Sequence, residues 1–465
     1  MIKKRITFTL ILILTFLIAA TNGFASGGDT PSQPIAYKTE VRVKLLPAGT
    51  SFLTTLNGTY EIVNLDDNTI VPYQSAVKFS MASGKVLLTV DNESISSANG
   101  FKINELVENE TNEVEIANIL TAYGVNKVRY RGSFEILPNG NGTVPLLINR
   151  LGMENYLRGV VPSEMPSSWP MEALKAQAVA ARSYAYMQTQ YNKPGGYLEM
   201  TVASQVYGGI TKETARGNQA VSDTSELYAT YNNVPIHAFF HSSSGGYTEN
   251  SENVWSSVVP YIRAVPDPYD KLPGNYHYGW ESIGQAATIS KKLKLSSEQI
   301  LTGLKVIDRG PSNAAKQISA SVYNKSTKTI SNISIVPSLV SSPDSFRSFF
   351  GITLKSIKFN IYADSAVKIK MADGSEKSST TLLGYQLQNA DGSTTYIEDL
   401  NLPVRTSTES VSVKTSPATF NFKGDGWGHM LGMSQWGARG MAEASFTYDQ
   451  IIKHYYTGVE IKKMP

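Results

Sequence analysis

The sequence predicts an α+β protein, mainly antiparallel β with one long alanine-rich helix beside a candidate active loop, plus a small β-rich N-terminal domain. Three observations carry this. Runs such as Val41-Arg42-Val43-Lys44-Leu45 and Val86-Leu87-Leu88-Thr89-Val90 are apolar and rich in β-branched residues, with Asn-Gly and Asp-Asn punctuation between them. A single stretch after Pro170 carries Ala173, Ala176, Ala178, Ala180, Ala181 and Ala185 and meets no Gly or Pro until Pro194, which reads as a helix of about five turns. Strand candidates resume at 227–231 and 236–240, so one helix sits among strands.

In chain order, Met1-Ile2-Lys3-Lys4-Arg5 is a basic start, followed by an apolar stretch from Ile6 to Ala20 and then small residues at Gly23 and Ala25. This predicts an export signal over 1–25, with cleavage near Ala25 favoured over retention as an anchor, because the apolar stretch falls short of the roughly 20 residues that span a bilayer. The mature protein is then expected outside the cytoplasmic membrane. Residues 26–35 read as a flexible leader and 36–131 as the β-rich domain. Strand signals at 130–137 and 143–149 flank the turn Pro138-Asn139-Gly140-Asn141-Gly142, a hairpin that opens a larger unit over 132–463. A short helix is expected over Met153 to Val160. Residues 271–405 form a less distinctive, β-rich section, within which 341–352 reads as a helix capped by Gly351.

At 465 residues the chain suits two or three domains. Lys and Arg number 42 against 39 Asp and Glu, a net charge of +3, which gives no case for nucleic acid as partner. The absence of cysteine excludes disulfides and thiolate metal sites.

Three blocks could carry chemistry. Prolines at 162, 166 and 170 bracket Glu164 and predict stiff, irregular backbone that aims its carboxyl group. In the second block, His237 and His241 would share a face of a strand, and Ser242-Ser243-Ser244-Gly245-Gly246 make a donor-rich turn suited to sugar hydroxyls or an acetamido group. In the third, five glycines from 424 to 437 allow close backbone approach, while Trp427 and Trp436 offer flat faces for sugar rings. No Gly-Lys-Ser/Thr phosphate loop and no Gly-x-Ser-x-Gly elbow occurs there.

The Glu164-Met165-Pro166 run with Lys175-Ala176-Gln177-Ala178-Val179-Ala180-Ala181-Arg182 resembles the family of stage II sporulation protein D and the amidase enhancer LytB. Tyr156-Leu157-Arg158-Gly159, Ser204-Gln205-Val206-Tyr207-Gly208-Gly209, the Phe346-Arg347 to Gly351 stretch and the block from Gly428-His429 to Tyr456 extend the resemblance over roughly 130–463. It implies that 132–463 is a catalytic domain of a lytic transglycosylase with Glu164 as catalytic acid. The matching blocks imply substrate contacts from Arg182, Gln205, Tyr207, His237, His241, Ser242, Ser243, Ser244, Gly245, Gly246, His429, Ser434, Gln435 and Trp436. The implied partners are glycan strands of peptidoglycan and an N-acetylmuramoyl-L-alanine amidase. The alternative reading is a non-catalytic glycan-binding activator of such an amidase. Two departures matter. Met430 stands where the family often has glycine, which would reduce backbone approach, and the lack of cysteine leaves at most His237 and His241 where some members hold zinc, so neither metal nor cofactor is expected.

Overall fold

Alternate residues of Glu40–Leu45 point inward, with Val41, Val43 and Leu45 buried, and this period-two burial fixes the strand's face and register. The computed structural model describes residue 33 and residues 35–464, apart from 141, 193–195, 256, 337–338, 372, 390 and 406–407. The expected export signal at 1–25 lies outside the described residues, as does the leader at 26–35 except for residues 33 and 35.

Glu40–Leu45 pairs antiparallel with Leu146–Gly152, placing Val41 opposite Leu151. Ser133–Leu137, Phe101–Glu105 and Tyr60–Asn64 extend the sheet on one side, and Leu198–Glu199 adds a short parallel strand on the other. Strands on both sides of residue 131 therefore share one sheet. A second six-stranded sheet, antiparallel throughout, runs from Glu93–Ser97 at one edge to Gly124–Tyr130 at the other. Phe52, Phe79, Ile103 and Phe134 from the sheets form one core with Tyr156 and Leu174 from the helices, and this continuous apolar burial holds the layers together. A separate core around Trp280, Ile318, Phe350 and Phe422 supports the later strands. The fold is thus mixed α and β with mostly antiparallel sheets.

Helix α1 (Met153–Glu164) follows directly on the strand Leu146–Gly152 and runs past Val160 to the carboxylate. The expected irregular backbone around Glu164 is therefore helix. Pro162 cannot donate a backbone bond to the Arg158 carbonyl, and one residue on the Gly159 carbonyl accepts both the Ser163 hydroxyl at 2.6 Å and the Gly208 amide at 3.1 Å. The helix stops at Met165, extended at φ −135°, as the residue before Pro166 must be.

Helix α2 (Met171–Tyr186) has twelve of its sixteen residues buried. Ala176, Val179 and Ala180 lie in a third apolar cluster with Met441, Ile452 and Tyr455. Small side chains let the helices Gln435–Glu443 and Tyr448–Tyr455 approach α2 closely. Arg182, fully buried on α2, forms a bidentate pair with Glu154 at 2.6 and 2.8 Å and donates to the Leu227 carbonyl. It ties α1 to α2. The expected helix at 341–352 is shorter than the sequence suggested, a 3-10 turn and one helical turn ending at Phe349, with Gly351 at φ +77° reversing the chain.

Candidate active site

Glu164 ends α1 facing a cleft of about 510 Å³. Its Oε1 accepts the Val206 amide at 2.6 Å, and the loop carrying Val206 is held from behind. Gln205 donates to the Ala181 carbonyl at 3.3 Å and accepts the Tyr156 hydroxyl at 3.0 Å, while the Tyr207 hydroxyl reaches Asn149 at 2.9 Å. Gln205 and Tyr207 therefore fix the loop from inside the core, both buried, instead of facing the cleft. The side-chain amide of Gln435 makes the second contact to Glu164. Burial nevertheless outweighs both hydrogen bonds and pushes the Glu164 carboxyl up to about 7. It is the only carboxyl group lining the cleft among the described residues.

His241, His429, Trp255, Trp427 and Arg347 form the facing wall. The His241 Nδ1 lies 3.1 Å from the Leu431 carbonyl, which can only accept, so Nδ1 carries the proton and Nε2 is a lone-pair acceptor. That Nε2 is buried without a partner. His429 has the opposite tautomer, because its Nδ1 accepts the Leu431 amide at 3.1 Å. Burial pushes both imidazoles down, His241 to about 4, and the Arg347 guanidinium acts in the same direction. Both are neutral at pH 7. Their ring centroids are 5.5 Å apart, and no group of three or more His, Asp or Glu side chains is placed to hold a metal among the described residues.

His237 does not share this face. The expected strand across 237–241 is regular only at Phe240–His241, and tight turns bonding Ala238 to Ile236 and Phe239 to His237 break the alternation. The His237 ring stacks on Phe239 at 5.7 Å instead.

The serine-rich turn faces inward. Asp270, fully buried, accepts the hydroxyls of Ser243 at 2.7 Å, Ser434 at 2.6 Å and Tyr278 at 2.8 Å, and the amides of Ser244 and Gly245 at 3.1 Å. Ser244 donates its hydroxyl to Asp267 at 2.8 Å, whose carboxyl is pushed up to about 7 by burial and by the charge of Asp270. Of the three serines, Ser242 lines the cleft. Gly245 is required where it stands: at φ +62°, a Cβ there would lie 2.9 Å from backbone atoms of Asp425 and Gly426. Gly246, at φ +96°, completes the reversal. Ser434 also caps the helix Gln435–Glu443, accepting the Gly437 amide.

Trp436 lies outside the cleft, buried against Trp169 at 5.0 Å with the Arg439 guanidinium over its ring. The aromatic face open to the cleft is Trp427, 43% exposed. Trp436→Ala is therefore expected to cost about 3 kcal/mol of stability, and Trp427→Ala, at a half-exposed ring, clearly less. Thermal unfolding of the two variants measures the difference. Met430 takes φ +67° and buries its side chain in the second core, so its bulk points away from the cleft.

Sequence reading missed Asp267, Asp270 and Arg347. The aspartates sit in an ordinary Pro266-Asp267-Pro268-Tyr269-Asp270 run with no motif around them. Arg347 stands inside one of the resembling stretches, which was the available signal.

Residues 142–231, which contain α1, Glu164 and α2, match the stage II sporulation protein family. The chain is 33% identical over 327 residues to the amidase enhancer of Bacillus subtilis, covering 66% of this chain and 40% of that relative, so it spans less than half of the relative's length. It is 30% identical over 332 residues to stage II sporulation protein D of the same organism, covering 68% of this chain and 76% of the relative. An uncharacterized protein of Brachyspira hyodysenteriae is 28% identical over 425 residues, 90% of this chain and 92% of its own length.

Proposed function

Because the chain belongs to the family of stage II sporulation protein D and the amidase enhancer, we propose that it is an exported lytic transglycosylase that cleaves the glycan strands of peptidoglycan, with Glu164 as its acid and base. The observation that carries this reading is the single carboxyl group that lines the cleft among the described residues, held up to about 7. A hydrolytic glycosidase works with two carboxyl groups at a set separation. A transglycosylase needs one.

Protonated Glu164 gives its proton to the glycosidic oxygen as the bond from the muramyl C1 breaks. The resulting carboxylate then takes the proton of the C6 hydroxyl of the same muramyl residue, and that oxygen bonds to C1. The 1,6-anhydro ring closes without water, and Glu164 is left protonated for the next cycle. The Val206 amide and Gln435 stabilise the carboxylate stage. The Trp427 face, open to the cleft, is suited to stack on a sugar ring. Export is supported by the basic, apolar and small-residue pattern of the first 25 residues.

Mass spectrometry of glycan strands after incubation with the protein tests the reading, with 1,6-anhydro ends expected. Since the free protein must hold the proton, kcat/KM should fall as pH rises through about 7, approaching tenfold per pH unit above it. Reducing ends in place of anhydro ends would reject the transglycosylase. Intact strands together with stimulation of an added N-acetylmuramoyl-L-alanine amidase would establish the activator reading, which the similarity to an amidase enhancer supports.

A further inference from the structure

The strand Gly124–Tyr130 ends the second six-stranded sheet, and no strand among the described residues pairs with its outer edge. Near its far end the Arg129 amide is turned outward and taken by the Thr211 hydroxyl at 2.9 Å, where the short turn Ile210–Lys212 covers the edge. Alternation along the strand turns the amides and carbonyls of Lys127 and Val125 the same way. Exposed edges are normally blunted by charge, proline or covering chain. Here Lys127, Arg129 and the turn Ile210–Lys212 supply that protection toward the far end, while the near end carries Val125 at 54% exposure, with Leu120 and Tyr123 beside it at 48% and 76%.

Alongside the edge lies a groove of about 520 Å³, floored by Leu46, Val128, Pro162, Met200 and Val206. Two lysines line it and no carboxylate does among the described residues. Lys127 also reaches Glu115 at 3.2 Å, whereas the Lys212 ammonium sits 4.4 Å from the centre of the Tyr123 ring. An aliphatic floor, outward backbone groups two residues apart and a lysine rim fit a β-strand better than a saccharide.

We propose that this edge and groove dock an extended acidic segment of a partner protein, which adds to the sheet as a seventh strand. Its apolar side chains enter the groove and its carboxylates meet Lys127 and Lys212. The loop Met200–Tyr207 separates groove from cleft. It gives Met200 and Val206 to one and Ala203 and Ser204 to the other, while its Val206 amide holds Glu164. A docked strand therefore lies directly behind the donor that positions the acid.

The test uses the full chain and two capped nine-residue probes, one alternating Val with Glu and one alternating Val with Lys. The Glu probe is expected to bind at least tenfold more tightly and to slow amide exchange at 125 and 127. Val125→Pro, which removes an outward donor from an edge strand where proline is tolerated, should abolish that binding. Lys212→Glu should weaken it about tenfold and decides the question if the proline variant unfolds. Equal binding of the two probes, binding of neither, or protection confined to other segments would overturn the proposal. So would peptide-free glycan strands slowing exchange at 125 and 127 while the Glu probe does not, which would give the groove to the saccharide.

Discussion

Glu164→Gln is expected to lower the release of 1,6-anhydro-ended fragments by about 10²-fold or more. The substitution keeps the shape of the side chain and can retain the Val206 amide contact, but it leaves no carboxyl group lining the cleft among the described residues to give and take back a proton. Loss of folding is a separable explanation, and pH separates it. The folded state raises this carboxyl from its ordinary value near 4.5 to about 7, so the group's favourable contribution is fully present below about 4.5 and is lost as pH rises through about 7. A shift of that size corresponds to at most about 3 kcal/mol, less here because Glu164 keeps some exposure to the cleft. Glutamine cannot ionise. The variant should therefore gain stability relative to the parent between pH 4 and pH 8, when followed by denaturant unfolding, while its activity is lost at both. Retained turnover in a well-folded variant would remove Glu164 from the chemistry.

The largest effect on stability is expected at Asp270. Its carboxylate accepts five hydrogen bonds of 3.1 Å or shorter, from Ser243, Ser244, Gly245, Tyr278 and Ser434, and thereby binds the turn at 242–246 to the cap of the helix Gln435–Glu443. Asp270→Ala would leave those donors buried and unpaired, at a cost of about 4 kcal/mol or more. The cleft should loosen with it, since Ser242, His241 and Gln435 flank the groups that Asp270 holds. Asp270→Asn keeps the volume and one acceptor and should cost clearly less. A loss below about 1 kcal/mol for Asp270→Ala in urea unfolding would show that the five bonds do not act as a unit.

Much of the candidate site was legible because the reacting types stand in three compact blocks: Glu164 from the first, His241 and Ser242 from the second, His429 and Gln435 from the third all line one cleft. The direction of each side chain was not legible. Ser243, Ser244 and Ser434 look from sequence like donors for a sugar, yet each donates to a buried carboxylate 23 to 164 residues away along the chain. Likewise nothing in the local sequence distinguishes Trp427, open to the cleft, from Trp436, packed on Trp169.

The sequence by itself determined what depends on neighbours in the chain: period-two burial in strands such as Glu40–Leu45, the helical course of 171–186 between Pro170 and the next breaker, and the blocks that place the chain in its family. Tertiary structure alone decided that α1 runs through Pro162 to Glu164, that Arg182 pairs with Glu154, and that His241 faces the cleft while His237 stacks on Phe239. The physical reason is that propensity and periodicity act over a few residues. A buried polar group instead turns toward whichever partner, however distant in sequence, removes the cost of leaving it unpaired.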